Sequence, residues 1–286
     1  MSDTPELVAQ PRRRFLRQGV LPTVFCAGCG GGTVLNCYTA AVEATGLDPK
    51  RLCSVTGIGC SSWILSPYFK ADTLHTTHGR AVAFATGVKI ARPDLVVVVI
   101  AGDGDLSGIG GNHLIHAARR NIDLKVVMVN NSIYGMTGGQ VAPSTPTGAR
   151  ATTTPYGNPE PPMQAAELVV AAGATFVARW TTFHVAQLVT AMVELLGHKG
   201  FGFIEVISQC PTSYGKAVRL RSAAEILTGY RQKSISLADA ETLSPEEREQ
   251  RIVVGTLVKK QRPELTERLA ALGERARSEA LDGGTS

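Results

Sequence analysis

Five short runs rich in Val, Ile and Phe, at residues 54–59, 95–101, 124–130, 174–179 and 202–208, are separated by stretches of helical length. This alternation constrains the chain more than any other feature. The intervening stretches, residues 32–45, 80–92, 110–120, 163–172 and 182–197, carry apolar residues at helical spacing. Short runs that are apolar throughout suit strands buried on both faces. Strand–helix–strand repeats predict right-handed crossovers and an α/β fold: a parallel sheet with helices on both faces. In such sheets ligands bind beyond the carboxyl ends of the strands, so the residues after each strand carry the functional information.

Charge divides the chain. Residues 216–286 hold 24 charged side chains in 71 positions, against 29 in the preceding 215. That contrast predicts a compact domain over residues 25–215 and a charged helical extension over 216–286 that docks a partner, with an N-terminal arm over 1–24. A solvated helical surface is the simpler alternative for the extension, and its last residues, 282–286, are expected to fray. The loop 138–162, rich in Thr, Pro and Gly, is long enough to call for a function.

Composition removes several classes of function. A hydrophobic content of 44% excludes a largely disordered chain. The longest apolar run falls far short of the roughly 20 residues of a membrane helix. A net charge of +5 without a basic, aromatic-studded stripe speaks against nucleic acid. Arg12-Arg13-Arg14-Phe15-Leu16 resembles a twin-arginine export signal, but Gln18, Pro22 and the Cys26-Ala27-Gly28-Cys29 segment follow instead of an apolar stretch and cleavage site. A basic arm on a cytoplasmic protein is the expected reading.

Two constellations follow the strands. The first joins Gly102-Asp103-Gly104-Asp105, after the second run, to Asn130-Asn131-Ser132-Ile133-Tyr134-Gly135, after the third. If these strands are neighbours, their ends lie about 5 Å apart. The Asp103 carboxylate, the Asn131 amide oxygen and a nearby carbonyl then suit an octahedral Mg²⁺ completed by substrate phosphates. Gly102 and Gly104 would let backbone approach a diphosphate. Either half alone is an ordinary turn at a strand end.

The second constellation is Cys26, Cys29, Cys60 and Cys210, four cysteines on separate loops. Four thiolates can hold a [4Fe–4S] cluster or a structural zinc. Only one close CxxC pair exists, which fits a zinc ribbon less well. The cluster is the first reading, zinc the second, a redox dithiol the third. Cys37 and Cys53 fall within helix and strand patterns and are expected in the core.

Gly102 to Asn131 spans 30 residues and resembles the thiamine diphosphate signature, which runs from Gly-Asp-Gly to Asn-Asn. With the cysteines, the chain resembles the β subunit of a 2-oxoacid:ferredoxin oxidoreductase over roughly residues 20–262. The resemblance is carried by Phe25-Cys26-Ala27-Gly28-Cys29-Gly30, Gly57-Ile58-Gly59-Cys60-Ser61-Ser62, Thr77-His78-Gly79-Arg80-Ala81, the two strand-end motifs, His116-Ala117-Ala118-Arg119-Arg120-Asn121 and Cys210-Pro211. One departure is Gly138, where many relatives carry lysine.

The resemblance implies a thiamine-diphosphate-binding fold that holds the diphosphate half of the cofactor. Mg²⁺ is then held by Asp103, Asn131 and the carbonyl of Ile133, and one [4Fe–4S] cluster by Cys26, Cys29, Cys60 and Cys210. Gly59, Cys60, Ser61, Gly102, Asp103, Gly104, Asp105, Asn131, Ile133, Tyr134, Gly135, Met136 and Thr137 become the expected cofactor contacts. His78 and Arg80 become the catalytic candidates. An α subunit would supply the pyrimidine-half and transketolase-C-like domains, in a heterotetramer of two α and two β chains. Ferredoxin, coenzyme A and a 2-oxoacid complete the partners. Gly59-Cys60-Ser61-Ser62-Trp63 and Gly111-Asn112-His113 look most like the branch that uses 2-oxoglutarate rather than pyruvate. His113 and His116, three apart, are expected to serve packing, and Arg119-Arg120 to complement a helix end. Two rivals remain: a non-redox thiamine enzyme with structural zinc, and a non-catalytic subunit carrying only the cluster.

Overall fold

The computed structural model describes residues 11–220 and 222–282. Residues 1–10 of the expected arm and 283–286 of the expected frayed end lie outside the described residues.

All five expected strands and helices are present, within a few residues of their expected ends. Helix α1 (Gly30–Thr45) leads to β1 (Leu52–Thr56) and the edge strand β2 (Asp72–His75). Next come α2 (Ala81–Ala91), β3 (Val96–Gly102), α3 (Gly111–Arg120) and β4 (Lys125–Asn130). After the long loop follow α4 (Ala165–Ala171), β5 (Phe176–Thr181), α5 (Val185–Gly197) and β6 (Gly202–Ile207). The last part adds α6 (Ala223–Lys233), β7 (Ser234–Ser236), α7 (Leu237–Ala240), α8 (Pro245–Glu249), β8 (Ile252–Lys259) and α9 (Leu265–Asp282).

The strands form one sheet in the order β2-β1-β3-β4-β6-β5-β8-β7, and the first six are mutually parallel. Burial of β1, β3, β4, β5 and β6 on both faces explains their uninterrupted apolar character. On one face Val34 and Leu35 of α1 and Leu188 and Met192 of α5 join Ile100, Val127 and Ile204 of the sheet. On the other, Val82, Leu114 and Val169, from α2, α3 and α4, cover Val99, Val126 and Phe203. Cys37 and Cys53 lie in these two cores, on opposite faces.

The C-terminal region is not helical throughout. Strand β8 pairs antiparallel with β5, with a register shift at Val177/Ala178, so this region extends the main sheet. Charged residues on either side of Ile252-Val253-Val254 hide that strand in the sequence, although it lies between β5 and the short β7 in the sheet. The arm, too, is attached: Phe15 is buried and stacks on Phe69, while Arg12 and Arg14 pair with Glu43.

Candidate active site

Strand order reverses between β1 and β3, and the segments after β1, β3 and β4 meet beyond their carboxyl ends. There they enclose a cavity of about 160 Å³. Every expected cofactor contact except Gly104 lines it, together with His78 and Ile58. Gly104 lies beneath Tyr134, whose ring atom Cε1 would stand only 2.2 Å from an added Cβ. Its role is to admit that ring. Arg80 is outside the wall, its guanidinium donating to the Ile109 carbonyl at 3.2 Å.

β3 and β4 are hydrogen-bonded neighbours, with Gly102 opposite Val129, which brings Asp103 beside the Asn-Asn turn. Asp103 Oδ2 accepts the Ser132 N–H at 2.9 Å and the Ser144 hydroxyl. Burial nevertheless pushes the Asp103 carboxyl up to about 6, despite these donors. Among the described residues no lysine or arginine pairs with it, so a cation brought from outside would relieve the buried charge. Asn131 Oδ1 accepts from the Ile133 N–H at 3.2 Å, and Ser132 adopts φ +62°, turning the chain sharply between Asn131 and Ile133. One buried carboxylate, one amide oxygen and adjacent carbonyls are the hard donors that Mg²⁺ takes beside a diphosphate. The residues fit that ion.

His78 enters the same cavity. Its Nδ1 lies 2.8 Å from Asp105 Oδ1, which also accepts the Gly79 N–H. Burial raises the Asp105 carboxyl, with the Gly79 N–H and His78 pulling the other way. The pairing orients the imidazole and leaves Nε2 as its free ring nitrogen. Tyr134 donates its hydroxyl to the Gly104 carbonyl at 3.1 Å.

The cysteines adjoin this cavity. Cys60 lines it, and also lines a smaller neighbouring recess together with Cys29. The position a Cβ would take on Gly135 lies 3.6 Å from Cys210 Sγ and 3.9 Å from Cys60 Sγ. Cys29 caps α1, accepting the Gly31 N–H at 3.4 Å, and the Cys29 N–H donates to the Cys26 carbonyl at 3.0 Å. Gly28, between them, takes φ +76° and packs so closely on α6 that a Cβ would meet Ala223 Cβ at 2.6 Å. Burial pushes the Cys60 thiol up to about 11, and Cys29, Cys210 and Cys26 add to that rise. Among the described residues no three such side chains are closed into a finished ligand set. Thiols whose ionised forms would repel one another nevertheless have the chemistry of a cluster site, since the iron of a cluster would supply compensating positive charge.

Sequence reasoning missed Ile58 in the wall and Ser144 on the Asp103 carboxylate. Ile58 sits inside a motif already noted. Ser144 belongs to the long loop, and nothing in its sequence marks it. His113 and His116 do not line the cavity; burial lowers the His113 imidazole, with Arg80 and His116 reinforcing the effect. Gly138 takes φ +117°, a backbone conformation a lysine would adopt only under strain.

Residues 57–206 match the family model of the thiamine pyrophosphate enzyme C-terminal TPP-binding domain. The chain is 52% identical over 269 residues to the 2-oxoglutarate synthase subunit KorB of Methanocaldococcus jannaschii, covering 94% of this chain and 99% of that one. It belongs to the family of 2-oxoacid:ferredoxin oxidoreductase β subunits. Within that family, the KorB subunit of Methanothermobacter thermautotrophicus is 49% identical, with 95% of each chain covered. A solved 2-oxoglutarate:ferredoxin oxidoreductase from Magnetococcus marinus, with 2-oxoglutarate, coenzyme A and succinyl-CoA bound, superposes with a TM-score of 0.83. That match has 33% identity and covers 95% of this chain and 92% of the other. The thiamine-binding domain accounts for the α/β fold and for the position of the cavity. Among the described residues no helix is long and apolar enough to cross a membrane.

Proposed function

We propose that this β subunit carries out the reversible oxidative decarboxylation of 2-oxoglutarate with coenzyme A, forming succinyl-CoA and CO₂. One proton and two electrons leave in the forward direction, the electrons passing singly through a [4Fe–4S] cluster to ferredoxin. The observation that carries this reading is Cys60, which belongs at once to the cofactor cavity and to the group of thiols. An electron acceptor held there would border the cofactor cavity.

Thiamine diphosphate, when bound, supplies a nucleophilic carbon and an electron sink for decarboxylation. Asp103, Asn131 and the Ile133 carbonyl would hold Mg²⁺, and Gly102 lets backbone approach the diphosphate. Gly59, Ser61, Tyr134 and Gly135 wall the cavity. His78, oriented by Asp105 through Nδ1, leaves Nε2 for polar contact with the substrate. Met136, lining the cavity with a flexible side chain, shapes the acyl end. Arg80, directed to Ile109, would act only by orienting the His78 segment. Cys26, Cys29, Cys60 and Cys210 would hold the cluster.

An α subunit completes the cofactor site, in an assembly of two α and two β chains, and the charged surface of residues 216–286 is its expected docking region. Discrimination for 2-oxoglutarate over pyruvate is expected to be about 10-fold or more, ~1.4 kcal/mol in differential transition-state binding. Anaerobic co-purification with the partner, then iron, sulfide, zinc and thiamine analysis, tests the assignment. Visible iron–sulfur absorbance bleached by 2-oxoglutarate, and coenzyme A-dependent viologen reduction, are expected. One zinc and no iron in active enzyme would replace the redox reading with a non-redox thiamine enzyme. Iron without Mg²⁺-dependent thiamine diphosphate binding would leave only an electron-transfer subunit. Equal turnover efficiency with pyruvate would overturn the substrate alone.

A further inference from the structure

A line of charged and amide side chains crosses the sheet face covered by α3 and α4, and ends at the Asp103 carboxylate. Glu205 sits within β6 at 3% exposure, directly opposite Arg179 of β5 in register. Arg179 Nε donates to Glu205 Oε2 at 2.7 Å. Its two terminal nitrogens donate to both oxygens of Glu167, on α4, at 2.9 and 2.6 Å. Glu205 Oε1 accepts Asn130 Nδ2 at 2.8 Å. Asn130 Oδ1 accepts the Ser132 N–H at 3.1 Å, and that same N–H reaches Asp103 Oδ2 at 2.9 Å.

Stability does not account for this arrangement. Burying the Glu205 carboxylate and the Arg179 guanidinium forfeits their hydration, while Glu167 stays partly open to solvent, and apolar replacements of such buried pairs are often neutral or stabilising. What the line does hold is the turn. Ser132 is a non-glycine residue at φ +62°, a conformation that persists only where its surroundings impose it. Asn130 clamps that residue from below, and the flanking Asn131 and Ile133 carry the expected metal donors. Glu205 fixes the Asn130 amide so that its oxygen faces the turn, and Arg179 fixes Glu205.

We propose that Asn130 and Glu205 are positioning residues for Mg²⁺: they hold the Ser132 turn so that Asn131 and the Ile133 carbonyl face Asp103 before the ion arrives. The inference rests on the magnesium assignment above. Partners behind the direct ligands typically contribute 10–100-fold to metal affinity.

The test is calorimetric titration of Mg²⁺ into the complex with its partner subunit, at saturating thiamine diphosphate. Asn130→Ala and the nearly isosteric Glu205→Gln should weaken Mg²⁺ binding about 10–100-fold, and excess Mg²⁺ should restore most of kcat. Lys89→Met, which breaks a buried ion pair at the other end of the sheet, should lower thermal stability yet leave Mg²⁺ affinity within twofold. Unchanged affinity in both Asn130→Ala and Glu205→Gln would overturn the proposal. So would equal weakening by Lys89→Met. Should Asn130→Ala not fold, Glu205→Gln carries the test. Asp103→Ala, measured alongside, separates the two levels: if it binds Mg²⁺ normally the metal assignment falls, whereas its failure beside normal Asn130→Ala and Glu205→Gln overturns only the positioning role.

Discussion

At the carboxyl end of the sheet Asp103 is buried with no cationic side chain, among the described residues, to pair it. At the amino end Asp123, equally buried, lies between two lysines. Lys89 Nζ is 2.7 Å from Asp123 Oδ2, and Lys125 bonds Asp123 Oδ1 and the His198 carbonyl. The Gly200 N–H completes that set at 3.0 Å. Burial pushes both carboxyls up, but Lys125 and Lys89 outweigh it at Asp123 and hold that group at about 2, whereas Asp103 rises to about 6. One fold thus makes two environments from the same residue type. The amino end is closed and self-sufficient, while at the carboxyl end no cationic side chain among the described residues offsets Asp103.

Four measurements bear on that contrast. The largest effect is expected from Asp103→Ala, which should weaken Mg²⁺-dependent thiamine diphosphate binding by ~100-fold or more, beyond the range of indirect partners. Calorimetry on the assembled complex checks it, and little change would show that the two ends do not differ in this way. Asp123→Ala should leave cofactor affinity intact but cost about 3–5 kcal/mol in denaturant unfolding, because it strands two buried ammonium groups.

Asp103→Asn sharpens the comparison by acting in opposite directions on two readouts. It removes an unfavourable buried charge, so the cofactor-free protein should gain about 1–3 kcal/mol at neutral pH while losing Mg²⁺ binding. A loss of stability would mean that the carboxylate is already compensated without the ion. The smallest effect is a pH dependence at the amino end. Asp123 has a depressed folded value, so its contribution is complete above the ordinary carboxylate range near 4 and is lost as pH falls through about 2. Comparing acid unfolding of the wild type and Asp123→Asn reads that window, and identical profiles would remove Asp123 from the balance.

That the expected residues gather at the carboxyl end was largely legible, because they sit in short, contiguous motifs directly after strands. Asp103 and Asn131 follow β3 and β4, and strand pairing alone brings them together. Cys60, His78 and Cys210 follow β1, β2 and β6 in the same way, whereas Cys26 and Cys29 precede α1 and were marked by their spacing. Ser144 was not: it reaches Asp103 from a loop whose path depends on packing, including the Met163 N–H bond to the Pro143 carbonyl at 2.7 Å. Arg80 looked like a site residue, but it lies outside the cavity wall, its guanidinium donating to the Ile109 carbonyl. Asn130 and Glu205 are 75 positions apart and meet only because β6 inserts beside β4.

By itself, then, the sequence determined the parallel α/β core, through apolar runs that tolerate burial on both faces, and which residues gather beyond β3 and β4, through local motifs. Tertiary structure alone decided strand order, the addition of β8 to the edge and the line from Glu167 to Asp103. The physical reason is range. Backbone pattern and turn chemistry act over a few residues, whereas pairing between strands is chosen by the whole core, and a side chain's partner depends on which strand becomes its neighbour.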